Sequence, residues 1–503
     1  TGWLAERDGS ALLFVADKRT SIRLAREIAA RAQLPPAENA LRRLEALEPT
    51  QAVRCLRELA ARGVAFHNAD LQFDERDAIE RGFAEGDLSA LVCTSTLAMG
   101  VNLPARNVVV DVRRWRAGPN GGSPTLVAIS RAEFENMAGR AGRLGYEERF
   151  GRAVLIADSQ LRRHILAQSY LEGEFDRLQP RLGDRAPLQQ ICLLMGSRAA
   201  AGDAGLVGAW RRTLTAHGCG RPPDVLPADL EDAARTAASE GLLEEDQACG
   251  WRASSLGCLC GGSGLSPRSF LRLVAAARAA QGEPPSDHEA VLVAALSEEA
   301  QAIPLARVSE AQRFVSELED ISSPVDELRW ELERMVATGP AGTAAARERA
   351  VRIALAVLSW RSRRPTADLE RALQLPAGRL ALLAEAVGWV IQTLAAIGRD
   401  LGWPQSGWQR LQRLGESIAA GVPEEGLALA RLQVPGLSRG HLLALLDAGF
   451  DTPAALSGAD PGLLTDLLGT ELAQRVRVAL QRVPRLDCRH QTPAARACST
   501  APR

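Results

Sequence analysis

The stretch "GVAFHNADLQFDERDAIERGFAEGDLSALVCT" (residues 63–94) decides the fold class, because it predicts a strand, a helix and a second strand in succession. "GVAFH" and "SALVCT" are short apolar runs with β-branched residues, and "ERDAIERGFAEGD" between them has helical composition. Two strands joined by one helix are the sequence pattern of a parallel pair with a crossover connection.

The flanking sequence repeats this alternation. "ALLFVA" (11–16) predicts a buried strand, and "NVVVDV" (107–112) and "RAVLIA" (152–157) predict further strands. "SIRLAREIAARA" after the first of them is apolar at helical spacing. Residues 1–186 are therefore predicted to form an α/β domain with a parallel sheet. In such sheets ligands bind at the loops beyond the carboxyl ends of the strands.

Strands nearly vanish after residue 187, and a chain of 503 residues is long enough for several domains. We predict a multi-domain chain with an all-α remainder, in which "GLLEED…WRASSLGCLC" forms a small β-wing. The predicted parts are 187–262 with this wing, a helical bundle at 263–420, short helices around "VPGLSRGH" at 421–485, and a disordered tail at 486–503.

Composition excludes more than it identifies. The formal net charge is −1, so a polyanion can bind only at a local patch. Lys18 is the only lysine, so nearly all basic residues of this chain are arginine. An arginine therefore indicates nucleic-acid binding only where it stands in a motif. Nine scattered cysteines, with no predicted signal peptide or membrane span, indicate reduced thiols in a cytoplasm.

A zinc site is not expected at the cysteines of the β-wing region. Cys249, Cys258 and Cys260 lack the usual zinc-ligand spacing, and the next histidine downstream is His288. We therefore predict no metal ligands in this chain.

"NMAGRAGRLG" (136–145) carries the strongest chemical signal. Two arginines three residues apart would lie on one helix face and present two guanidinium groups to one multivalent anion, such as a nucleotide γ-phosphate. The alternative is a solvated helix start in an arginine-rich sequence.

The motifs together resemble a known family. "ALLFVADKRTSIRLA", "GVAFHNADLQFDERDAIERGF", "TSTLAMGVNLPARNVVV" (94–110) and "NMAGRAGRLG" are similar, in order and spacing, to motifs IV, IVa, V and VI of superfamily 2 helicases of the superkiller-like branch. Residues 358–402 and 432–461 resemble the ratchet helix and helix-hairpin-helix of HelQ-type DNA helicases, and 187–262 stands where that family has a winged helix. Two positions depart from the pattern: "HNADL" replaces the more usual "HHAGL", and Asn136 replaces glutamine.

The resemblance implies roles at the nucleotide and on the nucleic-acid backbone. Residues 1–186 would be the second RecA-like domain, with Arg140 and Arg143 as arginine fingers facing ATP held by the other such domain. The remaining implied positions are Gly100, Asn102, Asn136 and Gly139 near ATP, and Thr94 and Thr96 on nucleic-acid phosphates. For the two threonines, capping of a strand end is the alternative.

Two tryptophans are implied to contact the nucleic acid. "RRWRAGPNGGSP" predicts a hairpin with turn chemistry, which would place Trp115, flanked by Arg113, Arg114 and Arg116, as a wedge at a duplex junction. A mobile surface loop is the alternative. Trp389 would stack on a base of the translocating strand, and a buried core tryptophan is its alternative. Leu382 stands where the family often has a basic residue, for which Arg379 is a partial substitute.

"PGLSRG" predicts a tight turn between helices whose N–H groups face a phosphate, with Gly436, Ser438 and Arg439 as the nucleic-acid contacts. A packing role is the alternative. Families with this hairpin usually have glycine at the position of Ser438, where serine would be strained if the site required a positive φ.

The sequence has no Gly-Lys-Ser/Thr phosphate loop, and the DExD match at 74–77 lies in the helix after the second motif. We therefore expect the first RecA-like domain, which holds most of the Mg²⁺ and ATP contacts, to be absent, so that this chain alone is inactive towards ATP.

The expected function is the C-terminal part of an ATP-dependent 3′-to-5′ DNA helicase. It would be a monomeric, nucleoid-associated protein that acts on single-stranded or forked DNA in repair or replication-fork processing. An RNA helicase of the same branch and a non-catalytic nucleic-acid-binding module are the alternatives.

Overall fold

The structure is a computed structural model. It describes residues 9–98, 103–116, 125–142, 150–174, 180–197, 200, 205–218, 225–305, 328 and 343–481, apart from the side chains at 96, 98 and 116. The chain folds into two compact units, the first reaching residue 178 and including Pro365–Arg379, and the second comprising the rest.

The first unit is built on a five-stranded parallel sheet, as predicted. Its strands are β1 (Ala11–Val15), β2 (Val64–His67), β3 (Ala90–Thr94), β4 (Asn107–Val110) and, at one edge, β7 (Arg152–Leu155). The spatial order is β2-β3-β1-β4-β7, with every pair parallel. Leu12 in the central strand pairs with Leu91 and Val108 and is fully buried, as a strand covered on both faces requires.

The strands β5 (Arg113–Arg116) and β6 (Thr125–Ala128) form the predicted antiparallel pair, which follows β4 in the chain. Helices lie between the strands along the chain and after the last of them. They are α1 (Lys18–Arg31), α2 (Glu38–Glu45), α3 (Gln51–Ala60), α4 (Phe73–Ala84), α5 (Arg131–Ala138) and α6 (Gln160–Leu166), the last continued by a π-helical turn (Ala167–Glu172).

Side-chain oxygens begin several of these helices. Asp17 accepts from the N–H of Thr20 at the start of α1, and Thr50 accepts from the N–H of Val53 at the start of α3. Each satisfies a backbone donor that has no partner within the helix.

The second unit is almost wholly helical in its described residues. Its first part holds α7 (Pro187–Met195), α8 (Gly205–Arg211), α9 (Leu214–Gly218), α10 (Ala228–Ser239), β8 (Leu243–Asp246), β9 (Gly250–Ala253), α11 (Ser255–Ser263), α12 (Pro267–Ala279), α13 (Asp287–Ala295) and α14 (Glu298–Ala302). The strands β8 and β9 form the antiparallel pair expected in this region.

The later part of the chain is helical to its last described residues. It contains α15 (Ala344–Trp360), α16 (Thr366–Leu373), α17 (Ala377–Asp400), α18 (Gln405–Ala420), α19 (Leu427–Ala430), α20 (Arg439–Asp447), α21 (Pro453–Ser457), α22 (Pro461–Leu468) and α23 (Thr470–Leu480). Helices α20 to α23 share a leucine-rich core that includes Leu445, Leu456 and Val476.

One segment departs from the predicted domain order. Pro365–Arg379, which was placed in the helical bundle at 263–420, belongs to the first unit, where Leu369 and Leu373 are fully buried. Helix α17, which begins within this segment, is long and apolar enough to cross a membrane by length and composition alone. Most of its most apolar window is buried inside the protein, as in the core helix of a globular domain.

Candidate functional site

The candidate site of the first unit lies at the carboxyl ends of its strands. Because the strands are parallel, Asp17 after β1, Asn68 after β2 and Thr94 at the end of β3 meet at one edge of the sheet. Thr94 is buried at this edge, and the Asn68 amide donates to Ser21 Oγ at 3.1 Å.

Asp17 links the start of α1 to the β5–β6 hairpin. Its carboxylate accepts from the N–H of Thr20 at 2.8 Å, from the Thr20 hydroxyl at 2.9 Å, and from the Trp115 side chain. Burial acts to raise the pKa of Asp17, but these hydrogen bonds hold it below its usual range. Asp17 thus caps α1 and also interacts with the Trp115 side chain.

The described part of the hairpin exposes Trp115 beside two arginines that are both paired with carboxylates. Trp115 lies opposite Leu126 and remains 51% exposed. Arg113 makes a bidentate pair with Asp111 at 2.9 and 3.1 Å, and Arg114 pairs with Glu133 at 2.8 Å. The side chain of Arg116 and the turn at 117–124 lie outside the described residues.

Asp70, in the loop after β2, binds two cations. Lys18 Nζ lies 2.5 Å from its Oδ1, while Arg379 donates from Nη2 to Oδ2 at 2.9 Å and from Nε to Oδ1 at 3.3 Å. Burial acts to raise the pKa of Asp70, but the two cations hold it below its usual range. Arg379, predicted as a nucleic-acid contact, is therefore occupied by a carboxylate of the same chain.

The "GRAGR" motif corrects one sequence expectation, because it follows the end of a helix instead of opening one. Gly139 is the C-cap of α5, and Gly142 has a φ of +59°. The N–H of Ala105 donates to the Arg140 carbonyl, and the N–H of Gly142 donates to the Ala105 carbonyl, both at 3.0 Å. The glycines thus allow the motif to join the loop before β4, and Arg140 does not lie on a helix face.

Arg140 is 6% exposed and lies near the buried thiol of Cys93 in β3. Burial raises the pKa of Cys93, and the positive charge of Arg140 acts in the opposite direction. Asn136 and Gly139 are exposed beside it. The proposed arginine finger thus faces inward here, towards the end of β3.

Three predicted nucleotide contacts, Gly100, Asn102 and Arg143, lie outside the described residues, as does the side chain of Thr96. In the described part of the chain no three His, Cys, Asp or Glu side chains form a group that could hold a metal ion. Cys260, considered above for zinc, lies 3.5 Å from the Cys192 thiol.

In the second unit, Trp389 on α17 is not a core tryptophan. Its side chain is 40% exposed, and Leu382, two turns earlier on the same helix face, is also exposed. The ring packs over Gly264, the left-handed C-cap of α11: a Cβ on that glycine would lie 3.4 Å from Cζ2 of the indole. One edge of the Trp389 ring therefore packs on Gly264, and part of the side chain remains exposed to solvent.

The turn at residues 435–440 is unstrained at Ser438. Gly436 carries the positive φ of +87°, whereas Ser438 has a φ of −81° and precedes α20 as its N-cap. The Ser438 hydroxyl lies 2.7 Å from Nδ1 of His441, whose pKa is lowered by burial. The condition for strain at this position, a positive φ, is therefore not met.

Arg439 corrects a second prediction. It is buried, and its guanidinium donates to the carbonyl oxygens of Trp360, Ser362, Arg364 and Gly421 at 2.7–3.1 Å. Its Cζ also lies 4.5 Å from the centroid of the Trp360 ring. Held by the carboxyl ends of α15 and α18, Arg439 packs the structure and does not face a phosphate, which is the packing alternative.

The sequence did not predict a role for three polar residues at the carboxyl ends of β1 and β2: Asp17, Lys18 and Asp70. The departure of "HNADL" from "HHAGL" was the available signal, since it puts a carboxylate where the similar motif has glycine.

Comparisons with known proteins support the resemblance to superfamily 2 helicases. Residues 41–145 match the family described as helicase conserved C-terminal domain. The chain is 28% identical over 442 residues to the ATP-dependent DNA helicase Hel308 of Aeropyrum pernix, covering 85% of this chain and 55% of that protein. It is 25% identical over 468 residues to the Hel308 of Thermoplasma acidophilum, covering 92% and 62%.

A shorter and closer match is 39% identical over 181 residues to the Hel308 of Pyrobaculum calidifontis, covering 35% of this chain and 25% of that protein. Residues 41–145 are thus similar to a helicase C-terminal domain. The chain spans 55% and 62% of the length of the two relatives that match most of it.

Proposed function

We propose that this chain supplies the second RecA-like domain and the DNA-binding helical part of an ATP-dependent DNA helicase of superfamily 2. The observation that carries the proposal is the helicase C-terminal domain at 41–145, whose "GRAGR" segment is joined to the loop before β4 in a parallel α/β unit. The similar proteins are DNA helicases, which supports DNA as the nucleic acid.

In this proposal the two units have different tasks. Arg140 and Arg143 face ATP held by a first RecA-like domain, which provides the phosphate loop missing from these 503 residues and most of the contacts to Mg²⁺. Trp389 stacks on a base of single-stranded DNA, and the chain moves 3′ to 5′ along that strand. Residues 187–262 act as a winged helix and 421–485 as a helix-hairpin-helix.

The buried position of Arg140 adds a requirement. A guanidinium that faces the end of β3 must turn outward to reach a nucleotide on another domain. We therefore include a rearrangement of the 136–142 segment when ATP and the first domain are both present. The protein is proposed to act as a cytoplasmic monomer on single-stranded or forked DNA, in repair or replication-fork processing.

The test is binding of the purified chain to fluorescent single-stranded DNA, single-stranded RNA and duplex DNA over a range of salt concentrations. We expect tightest binding to single-stranded DNA, with the logarithm of the affinity falling by about 0.7 per phosphate contact for each logarithmic unit of salt. Tighter binding to RNA would support the RNA helicase alternative, and no binding to any of the three would overturn the proposal.

A further inference from the structure

Three charged residues form a compact cluster at the sheet edge of the first unit: Lys18, Asp70 and Arg379, together called the Asp70 cluster. Lys18 opens α1, Asp70 lies in the loop after β2, and Arg379 is in the first turn of α17. Both cations bind the one carboxylate, at 2.5 Å for Lys18 and at 2.9 and 3.3 Å for Arg379.

The Asp70 cluster is accessible to solvent. The side chain of Lys18 is 40% exposed, that of Arg379 is 24% exposed, and that of Asp70 is 19% exposed. A ligand that approaches the carboxyl ends of β1 and β2 would therefore meet the two cations without unfolding the domain.

The ion pairs are not what holds this region together. Glu370 accepts from the N–H groups of Gln51 at 2.7 Å and Ala377 at 2.8 Å, and Glu48 accepts from the N–H of Thr366. Gly378 also packs directly on the loop, because a Cβ there would lie 2.2 Å from the Asp70 carbonyl oxygen. The segment Pro365–Arg379 is thus fixed to the unit by contacts that do not involve the Asp70 carboxylate.

The carboxylate and a backbone phosphate are similar as ligands. Each offers two oxygens that share one negative charge, and a guanidinium binds either of them through two parallel N–H donors. Lys18 adds a point charge on the same anion. Two cations that converge on one anion at the sheet edge therefore define a site at which a phosphodiester can replace the carboxylate.

We propose that Asp70 takes the place of a nucleic-acid phosphate in the free chain, and that single-stranded DNA binds here by exchanging one backbone phosphate for the Asp70 carboxylate on Lys18 and Arg379. The exchange rests on the proposed function. Asp70 then competes with the DNA phosphate for Lys18 and Arg379. This competition weakens DNA binding and lets the strand dissociate from the site easily.

The test replaces Asp70 with asparagine, which removes the charge and keeps the size. Asp70→Asn is expected to bind single-stranded DNA about 5- to 30-fold more tightly at low salt. The reason is that Lys18 and Arg379 no longer have to break ion pairs with a carboxylate before they bind the phosphate. In the Asp70→Asn background, Lys18→Gln or Arg379→Gln is expected to reverse most of this gain.

Glu85→Gln is the matched control. Arg43 Nη2 donates to both carboxylate oxygens of Glu85, at 2.6 and 2.9 Å. Glu85 stands where α4 ends and the chain turns towards the start of β3, at the opposite end of the strands from the Asp70 cluster. It changes the net charge by the same amount and is expected to leave DNA affinity within about twofold. Circular dichroism and thermal unfolding show that each variant is folded.

The single variant Lys18→Gln tests the same site independently, whether or not Asp70→Asn folds. It leaves the pair between Asp70 and Arg379 in place, and it is expected to weaken DNA binding severalfold and to reduce its salt dependence by about one phosphate contact. Unchanged or weaker binding by folded Asp70→Asn, with wild type still bound, would overturn the phosphate exchange alone. No binding of wild type to any single strand would overturn the proposed function together with it.

Discussion

Glu75 in α4 is a carboxyl whose protonation is set by the fold. It is buried, and it accepts from the Thr50 hydroxyl at 2.6 Å and from the N–H of Gln72 at 2.7 Å. Burial raises its pKa to about 7, the nearby charge of Glu370 adds to the rise, and the hydrogen bonds from Thr50 and Gln72 act against it. Folding therefore favours the protonated form of Glu75 over its charged form.

This shift predicts a pH dependence of stability. A carboxyl with a pKa of about 7 when folded and 4.5 when unfolded holds its proton more tightly in the folded chain, so the free energy of unfolding falls as pH rises from 4.5 to 7. The loss amounts to about 3 kcal/mol at 1.4 kcal/mol per unit of pKa.

Glu75→Gln imitates the protonated form and is expected to remove most of this loss, making the chain more stable at pH 8 than wild type. Urea unfolding at a series of pH values measures it. Glu58→Gln, at an exposed position on α3, is the control and should follow wild type. A Glu75→Gln curve parallel to wild type between pH 4.5 and 7 would contradict the assignment.

At the residue scale, sequence was weakest for arginine. Motif context singled out Arg140, Arg379 and Arg439, but the structure pairs Arg379 with Asp70, 309 residues away, and surrounds Arg439 with backbone carbonyls. Such partners cannot be predicted from local pattern, because they depend on how distant segments meet. Sequence alone does not separate Arg439 from a phosphate-binding arginine, whereas its four carbonyl acceptors do.

At the scale of elements, the strands were predictable for a physical reason. A parallel strand covered on both faces is a short continuous apolar run, and β1 to β4 lie within such predicted runs. The edge strand β7 also lies within its predicted run, although none of its residues is buried. The end of α5 was not predictable in the same way. Glycines serve both helix starts and helix ends, so "GRAGR" alone could not show that the motif follows a helix.

The close approach at Gly142 gives a prediction for this element. A Cβ on Gly142 would lie 2.3 Å from the backbone nitrogen of Gly151, whereas Gly86, with a similar positive φ of +75°, has no atom within 4 Å of that position. Gly86→Ala should cost about 1 kcal/mol of stability from backbone conformation alone. Gly142→Ala should cost about 2–4 kcal/mol, because the clash with Gly151 adds to it.

Chemical denaturation of both variants measures the difference. Equal losses for Gly86→Ala and Gly142→Ala would show that the approach of the motif to Gly151 is not a structural constraint.

At the scale of the whole molecule, sequence predicted an α/β part followed by a helical remainder, and the structure has both. It did not predict that Pro365–Arg379 belongs to the first unit. The reason is that helical periodicity identifies a buried face but not its partner: Leu369 and Leu373 would fit any apolar surface, and the hydrogen bond from Gln51 to Glu370 identifies the one they use.

The central claim is that the chain binds single-stranded DNA through an exposed tryptophan, and its most direct test is the affinity of Trp389→Ala for a fluorescent oligonucleotide. Leu214→Ala, which removes another exposed apolar side chain of the second unit, is the control. The account predicts a loss of about 5- to 150-fold for Trp389→Ala, equivalent to one base stack of ~1–3 kcal/mol, and no change for the control. Equal affinities of wild type and a folded Trp389→Ala would contradict it.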